Sequence, residues 1–303
     1  MRQHTPHSVR YIDQETEHDK LYEVLLSTNQ DRFFFIPTRW LNLLIVGILA
    51  YAQKKTRLGI CYVVFLSNHA HLLIRTKNAQ QVADFFCLSN SQIAKEVQRL
   101  VDWNGGIFTK RYSLIAVTDE PEAQEARLRY LMSQGVKEGL CPHPTKWPGV
   151  QSASALLSGS MRLVGTWVNR SRLYELQYLY RRTAALKAAN RRKNKRLPRD
   201  LQRPFRGKER TRPRTKDVSE RLELELSPLP CWDHLPANDV VAKTRAMVAE
   251  IEAEYAETIE GLPKRWRRRA TDRSLQTRRP EARRTASVRP KVHAASKDAW
   301  VLW

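Results

Sequence analysis

ICYVVFLSNHAHLLIR, residues 60–75, is the stretch from which the fold is read. Its first half, opened by Gly59, is a run of apolar and β-branched residues that suits a buried strand. Ser67 and Asn68 turn the chain, and HAHLLIR returns as the hairpin partner. Upstream, residues 21–27 (LYEVLLS) make another short strand, followed by a turn at Asn29, Gln30 and Asp31 and an apolar run at 33–36. Thr38 then caps a helix to about residue 54, with Leu41, Leu44, Ile45, Ile48 and Leu49 on its buried face. Downstream, Asn78 caps a helix carrying Val82, Phe85, Phe86, Ile93, Val97 and Leu100, and Gly105 and Gly106 break it. Residues 112–117 form a fourth strand, and a helix over 122–138 is stopped by Gly139 and Pro142. The order β-α-β-β-α-β-α predicts an α+β core of the ferredoxin-like split type. That pattern hosts many functions and specifies no chemistry by itself.

Composition bounds the partners. The 303 residues carry 53 Lys+Arg against 31 Asp+Glu, a net charge of +22 that repels itself and attracts polyanions. Nucleic acid is the commonest such partner, with an anionic membrane surface as the competitor. The longest apolar stretch, 41–52, is too short to cross a bilayer, and the first seven residues hold no apolar signal region. No membrane association is therefore expected. Cys61, Cys87, Cys141 and Cys231 form no CxxC pair, so reduced thiols are expected and a zinc finger is not the source of nucleic-acid affinity.

Composition also divides the chain. Residues 1–20 read as a loose N-terminal segment and 21–180 as the core domain. Residues 181–218 are dominated by Arg and Lys and read as a basic arm, linker or helix extension. Residues 219–262 read as a small helical extension, with an apolar patch at 222–232 (LELELSPLPCW) and a helix over 239–259. Residues 263–303 read as a basic, disordered tail.

His69 and His71 carry the first chemical signal. A strand's period of two puts both imidazoles on one face, where two neutral nitrogen donors side by side suit a metal ion. With 8 His in the chain, a chance His-x-His arises in roughly one such sequence in five, so the pair needs support from elsewhere. The helix over 122–138 supplies it. Leu128, Leu131, Met132 and Gly135 share one face, while Arg127, Tyr130, Gln134 and Lys137 share another. That second face offers a phenol, a carboxamide oxygen one turn away, and two cations. Trp103, Tyr112 and Trp147 are candidate stacking surfaces for unpaired bases, with ordinary core packing as the competing role.

Together these stretches resemble a known family. SNHAHLLI (67–74) resembles the HUH motif of single-strand DNA transposases, with Ala70 at the hydrophobic position. RYLMSQGVKEGL (129–140) is similar to the nucleophile helix of REP-associated tyrosine transposases, relatives of the IS200-like transposases. WPGV (147–150) and FTKRYS (108–113) sit where that family has similar stretches, and the resemblance spans roughly residues 21–168. It implies a ferredoxin-like HUH nuclease core with Tyr130 as nucleophile, His69, His71 and Gln134 as ligands of Mg2+ or Mn2+, and no organic cofactor. Arg127, Lys137, Lys110 and Arg111 are expected as phosphate or DNA contacts. The implied partner is single-stranded DNA, including palindromic REP-like hairpins, bound by a monomer or homodimer in a prokaryotic, nucleoid-associated cytoplasmic setting. Many family members have Asn-Pro where this chain has Gln134 and Gly135, and Gln keeps the oxygen donor. A non-catalytic or domesticated protein that holds DNA or RNA hairpins is the alternative.

Overall fold

Strand β1 (Lys20–Ser27) buries side chains on both of its faces, as a central strand must. It pairs antiparallel with β3 (His69–Thr76) on one side and β4 (Ser113–Val117) on the other. The edge strand β2 (Gly59–Phe65) pairs antiparallel with β3, giving the order β2-β3-β1-β4. The hairpin turn closes through Leu66 N–H donating to His69 O at 2.8 Å. The protein's computed structural model describes residues 19–109, 111–193, 212–275 and 292–293. The expected loose segment at 1–20 lies almost wholly outside them, as do Lys110 and much of the basic arm and tail.

Register sorts the two faces of this α+β sheet. His71 lies opposite Leu25 and Val64, and Leu25 lies opposite Ser113, so these residues share one face with His69 and Glu23. Ala70, Leu72, Val24 and Leu26 point the other way. Helices α1 (Arg39–Thr56) and α2 (Ala79–Val101) cover that second face, where Phe86 packs on Tyr112 with ring centroids 4.5 Å apart. Both helices start as expected. Thr38 Oγ1 accepts from Leu41 N–H at 3.1 Å, and Asn78 Oδ1 accepts from Gln80 N–H at 2.7 Å. Helix α2 stops ahead of its glycines, because Asp102 adopts φ 50° and turns Trp103 against Phe34.

Helix α1 is buried nearly all round, since a second layer covers it. Strand β5 (Arg162–Val168) pairs antiparallel with β6 (Ser219–Glu225), and this ribbon lies against α1. A Cβ on Gly47 would come within 2.2 Å of the Thr166 backbone, so only glycine permits this approach. Tyr51 stacks on Trp167 next to it, 4.1 Å apart and 3° from parallel. The apolar patch 222–232, expected in a helical extension, thus begins as a strand: Leu224 is fully buried between two exposed glutamates.

Helix α3 (Pro121–Lys137) packs on the histidine face of the sheet, its first turn set by Pro121. Beyond it come the short α4 (Ala153–Leu157) and the long α5 (Arg170–Lys193), which runs across residue 180 into the stretch read as a basic arm or helix extension. The extension continues as α6 (Ala237–Glu254), α7 (Ala256–Glu260) and α8 (Trp266–Ala270). Helix α6 docks on the outer side of α3. Arg129 reaches Glu250 at 3.0 Å and also pairs with Glu254, and Cys231 N–H donates to Gln124 Oε1 at 3.0 Å. Within the expected tail, β7 (Val292–His293) pairs in parallel with β4.

Candidate active site

The site is built where β3 faces α3. His69 and His71 project from alternate positions of β3, and their ring centroids are 5.2 Å apart at 84°. An N–metal bond of ~2.1 Å puts each centroid ~3.2 Å from a shared cation, so two ligands at 90–109° would have centroids ~4.5–5.2 Å apart. The observed spacing fits.

Each imidazole is also oriented by an oxygen at Nδ1. His71 Nδ1 lies 2.6 Å from Glu23 Oε1, and His69 Nδ1 lies 2.8 Å from Asn68 Oδ1. Carboxylate and amide oxygens only accept, so each Nδ1 donates, and Nε2 is the ring atom turned away from these contacts. Glu23 is 1% exposed, and a lone carboxylate at that depth would be costly. Arg127 Nη2 lies 2.5 Å from Glu23 Oε2 and supplies the counter-charge. Glu23 therefore ties a residue of the histidine strand to a residue of the tyrosine helix. Its signal in the sequence is a single carboxylate inside an apolar strand, LYEVLLS, and sequence reasoning passed over it.

Tyr130 stands half-buried between two cations on its own helix. Arg127 Cζ is 4.0 Å and Lys137 Nζ 4.9 Å from the ring centroid, and the ring is 6.5 Å from that of His71. Gln134 is 4% exposed, and its Nε2 donates to Tyr130 O at 3.2 Å, one helical turn back. That bond commits the nitrogen and leaves Oε1 as the donor atom of the carboxamide. Among the described residues no cluster of three His, Cys, Asp or Glu side chains is arranged to hold a metal.

The four residues expected on one face of α3 are thus brought together, but Arg127 is committed to Glu23 and to the Tyr130 ring. Its Nε is buried with no partner among the described residues. Arg111 is exposed, its guanidinium 5.3 Å from the Tyr112 ring, and Lys110 lies outside the described residues. Of the candidate stacking aromatics, Trp147 is 4% exposed and belongs to the core, where its indole N–H donates to Phe65 O at 2.7 Å. That bond pins the loop after α3 to β2, the partner of the histidine strand. Gly135 allows it: a Cβ there would meet Cys141 Sγ at 2.8 Å. Burial pushes the Cys141 thiol up to about 12.

Glu125, on the outer face of α3, accepts from Trp232 Nε1 at 2.7 Å and Lys243 Nζ at 2.9 Å. Burial opposes its ionisation, yet these two donors outweigh it and hold the carboxyl below the usual range.

No protein-family model matches the chain, and no curated protein does. Among solved structures, one described as a REP-associated tyrosine transposase bound to a REP hairpin overlaps at TM-score 0.39 and 13% identity, covering 52% of this chain and 86% of its own. A putative transposase from Deinococcus radiodurans overlaps at TM-score 0.26 and 13% identity, covering 44% of this chain and 98% of its own. Overlaps this slight leave the function to be read from the chain's own residues.

Proposed function

We propose that this chain is a metal-dependent tyrosine transposase of the HUH type, which cuts and rejoins single-stranded DNA through Tyr130. The observation that carries the proposal is the pair of imidazoles on β3, each with Nδ1 held by an oxygen, beside a tyrosine flanked by two cations. The strand order β2-β3-β1-β4 agrees with a ferredoxin-like HUH core. His69 Nε2, His71 Nε2 and Gln134 Oε1 would hold Mg2+ or Mn2+. Neutral ligands leave the ion's full charge to draw electron density from the scissile phosphate.

The protein's own groups do the rest. Tyr130 Oη attacks phosphorus, forming a Tyr–O–P bond as the P–O3′ bond breaks. The phenolic proton is lost to solvent and the leaving oxygen takes one up, giving a 5′-phosphotyrosine and a free 3′-hydroxyl. Lys137 and Arg127 favour the negative charge that develops on the phenol oxygen, and Glu23 keeps Arg127 in place. One phosphodiester replaces another, so the bond energy is kept and a 3′-hydroxyl can reverse the step without ATP. The net charge of +22 favours binding the polyanionic strand.

The test is a denaturant-resistant protein–DNA adduct, formed with Mg2+ or Mn2+ and single-stranded oligonucleotides with and without palindromic hairpins. Wild type should form it and Tyr130→Phe should not, while still binding the strand. An adduct that persists in Tyr130→Phe overturns the assignment. Binding with no adduct under any metal supports the alternative, a non-catalytic hairpin binder.

A further inference from the structure

The face of the sheet away from Tyr130 carries a groove that the proposed chemistry does not use. It lies between α1, α2, the end of β5 and the start of α5, with a cavity of about 290 Å³, near the lower end of small-ligand pockets at ~300 Å³. The Tyr51–Trp167 stack forms part of its wall, and the Trp167 indole N–H is already satisfied by Gln92 Oε1 at 2.8 Å. Lys55 lies 5.6 Å from the Tyr51 ring centroid. Glu96 is 5% exposed at the groove, with Arg170 gripping both of its oxygens at 2.8 and 2.6 Å and Arg99 adding a contact at 2.8 Å. The buried carboxylate is thereby neutralised, and the rim remains basic through Lys95 and the surplus of guanidinium charge.

Helix α5 continues this surface outward. Tyr174 is 54% and Tyr178 63% exposed, one helical turn apart, and Arg181 and Arg182 follow, both exposed. Arg99 Nη2 donates to Tyr174 Oη at 3.1 Å and lies beside its ring, which fixes the phenol at the mouth of the groove. Both rings stay largely in solvent among guanidinium groups, with Tyr174 touching Arg99. They match what an unpaired strand needs: flat faces for bases and cations for phosphates.

We propose that this groove and the Tyr174–Tyr178 stripe form a second, non-catalytic binding surface for unpaired nucleotides of single-stranded DNA. It lies on the opposite face of the sheet from Tyr130 and stands independently of the chemistry at Tyr130. A strand cut at one face would keep a hold on the protein through the other.

The test uses the full chain with Tyr130→Phe as background, so that binding is read without cleavage. Fluorescence anisotropy of a labelled 20-nucleotide single strand, and of the same sequence as a duplex, compares this protein with Tyr174→Ala/Tyr178→Ala. Loss of base stacking should weaken single-strand binding at least fivefold, with a duplex loss under twofold. Both tyrosines are exposed, and an unchanged thermal midpoint checks that the fold is kept. A strand carrying 5-iododeoxyuridine should crosslink on irradiation to peptides containing Tyr174 or Tyr178. Unchanged single-strand affinity, or an equal loss for duplex, overturns the proposal. If wild type forms no adduct while the double variant still loses single-strand binding, the catalytic reading fails and this surface stands.

Discussion

Replacing Glu23 by Gln tests the link between the two halves of the site at constant shape. The carboxylate is 1% exposed, with Arg127 Nη2 at 2.5 Å and His71 Nδ1 at 2.6 Å on its two oxygens. A carboxamide has one accepting oxygen, and its NH2 cannot accept from either neighbour. If the oxygen keeps His71, the amide nitrogen faces a guanidinium that only donates. Removing one partner of a buried pair costs ~3–5 kcal/mol. The Arg127 side chain is 13% exposed and can recruit some water, so the lower end, about 3 kcal/mol, is expected. With a urea slope of about 3 kcal/mol per M, the unfolding midpoint falls by roughly 1 M. A residue that orients a ligating histidine also affects metal binding, typically by ~10–100-fold. Calorimetric titration with Mn2+ on the folded variant should show that loss, together with reduced adduct formation. Lost stability with Mn2+ affinity within twofold of wild type would refute the coupling and make Glu23 a structural residue only.

Other outcomes follow from packing and charge. Gly47→Ala forces a methyl against the Thr166 backbone, within 2.2 Å, and should lower stability by about 1–3 kcal/mol in urea unfolding, since strand rather than side chain must yield. Of the four cysteines, Cys87 is exposed, while burial raises the thiols of Cys61 and Cys141, the latter to about 12. Limited alkylation at pH 8 followed by mass spectrometry should label Cys87 first. The folded-state pKa of Glu125 is lowered, so its stabilisation is present above the unfolded value, about 4.3, and is lost as pH falls through the folded value. Wild type should be more stable than Glu125→Gln at pH 6, with the gap narrowing towards pH 3; equal stability at pH 6 would count against the contact.

What could be read from sequence was what is local. The β2–β3 hairpin, the caps at Thr38 and Asn78, and the face of α3 bearing Arg127, Tyr130, Gln134 and Lys137 each depend on residues a few positions apart. The misses depend on partners far along the chain. Strand β5 reads weakly because its pairing with β6 spans the whole of α5 and the basic stretch. Glu23 reads as an oddity in a strand until His71 and Arg127 are folded onto it. The basic composition after residue 180 obscures α5, where Leu173 and Thr183 are the buried positions among the described side chains and give no clear apolar stripe. Helix α2 ends at Asp102 rather than at the glycines: Asp102 takes φ 50°, and Trp103 packs on Phe34 under the Arg32 guanidinium, contacts far along the chain.

The docking of α6 on the back of α3 gives residues around 230–254 a say in where Tyr130 stands. Truncation before this brace would strip the cover from α3 and leave its tyrosine on a helix free to drift. Substitutions along Val240, Val248 and Ile251 should then behave as remote tuning positions, shifting where the Tyr130 phenol stands without touching it.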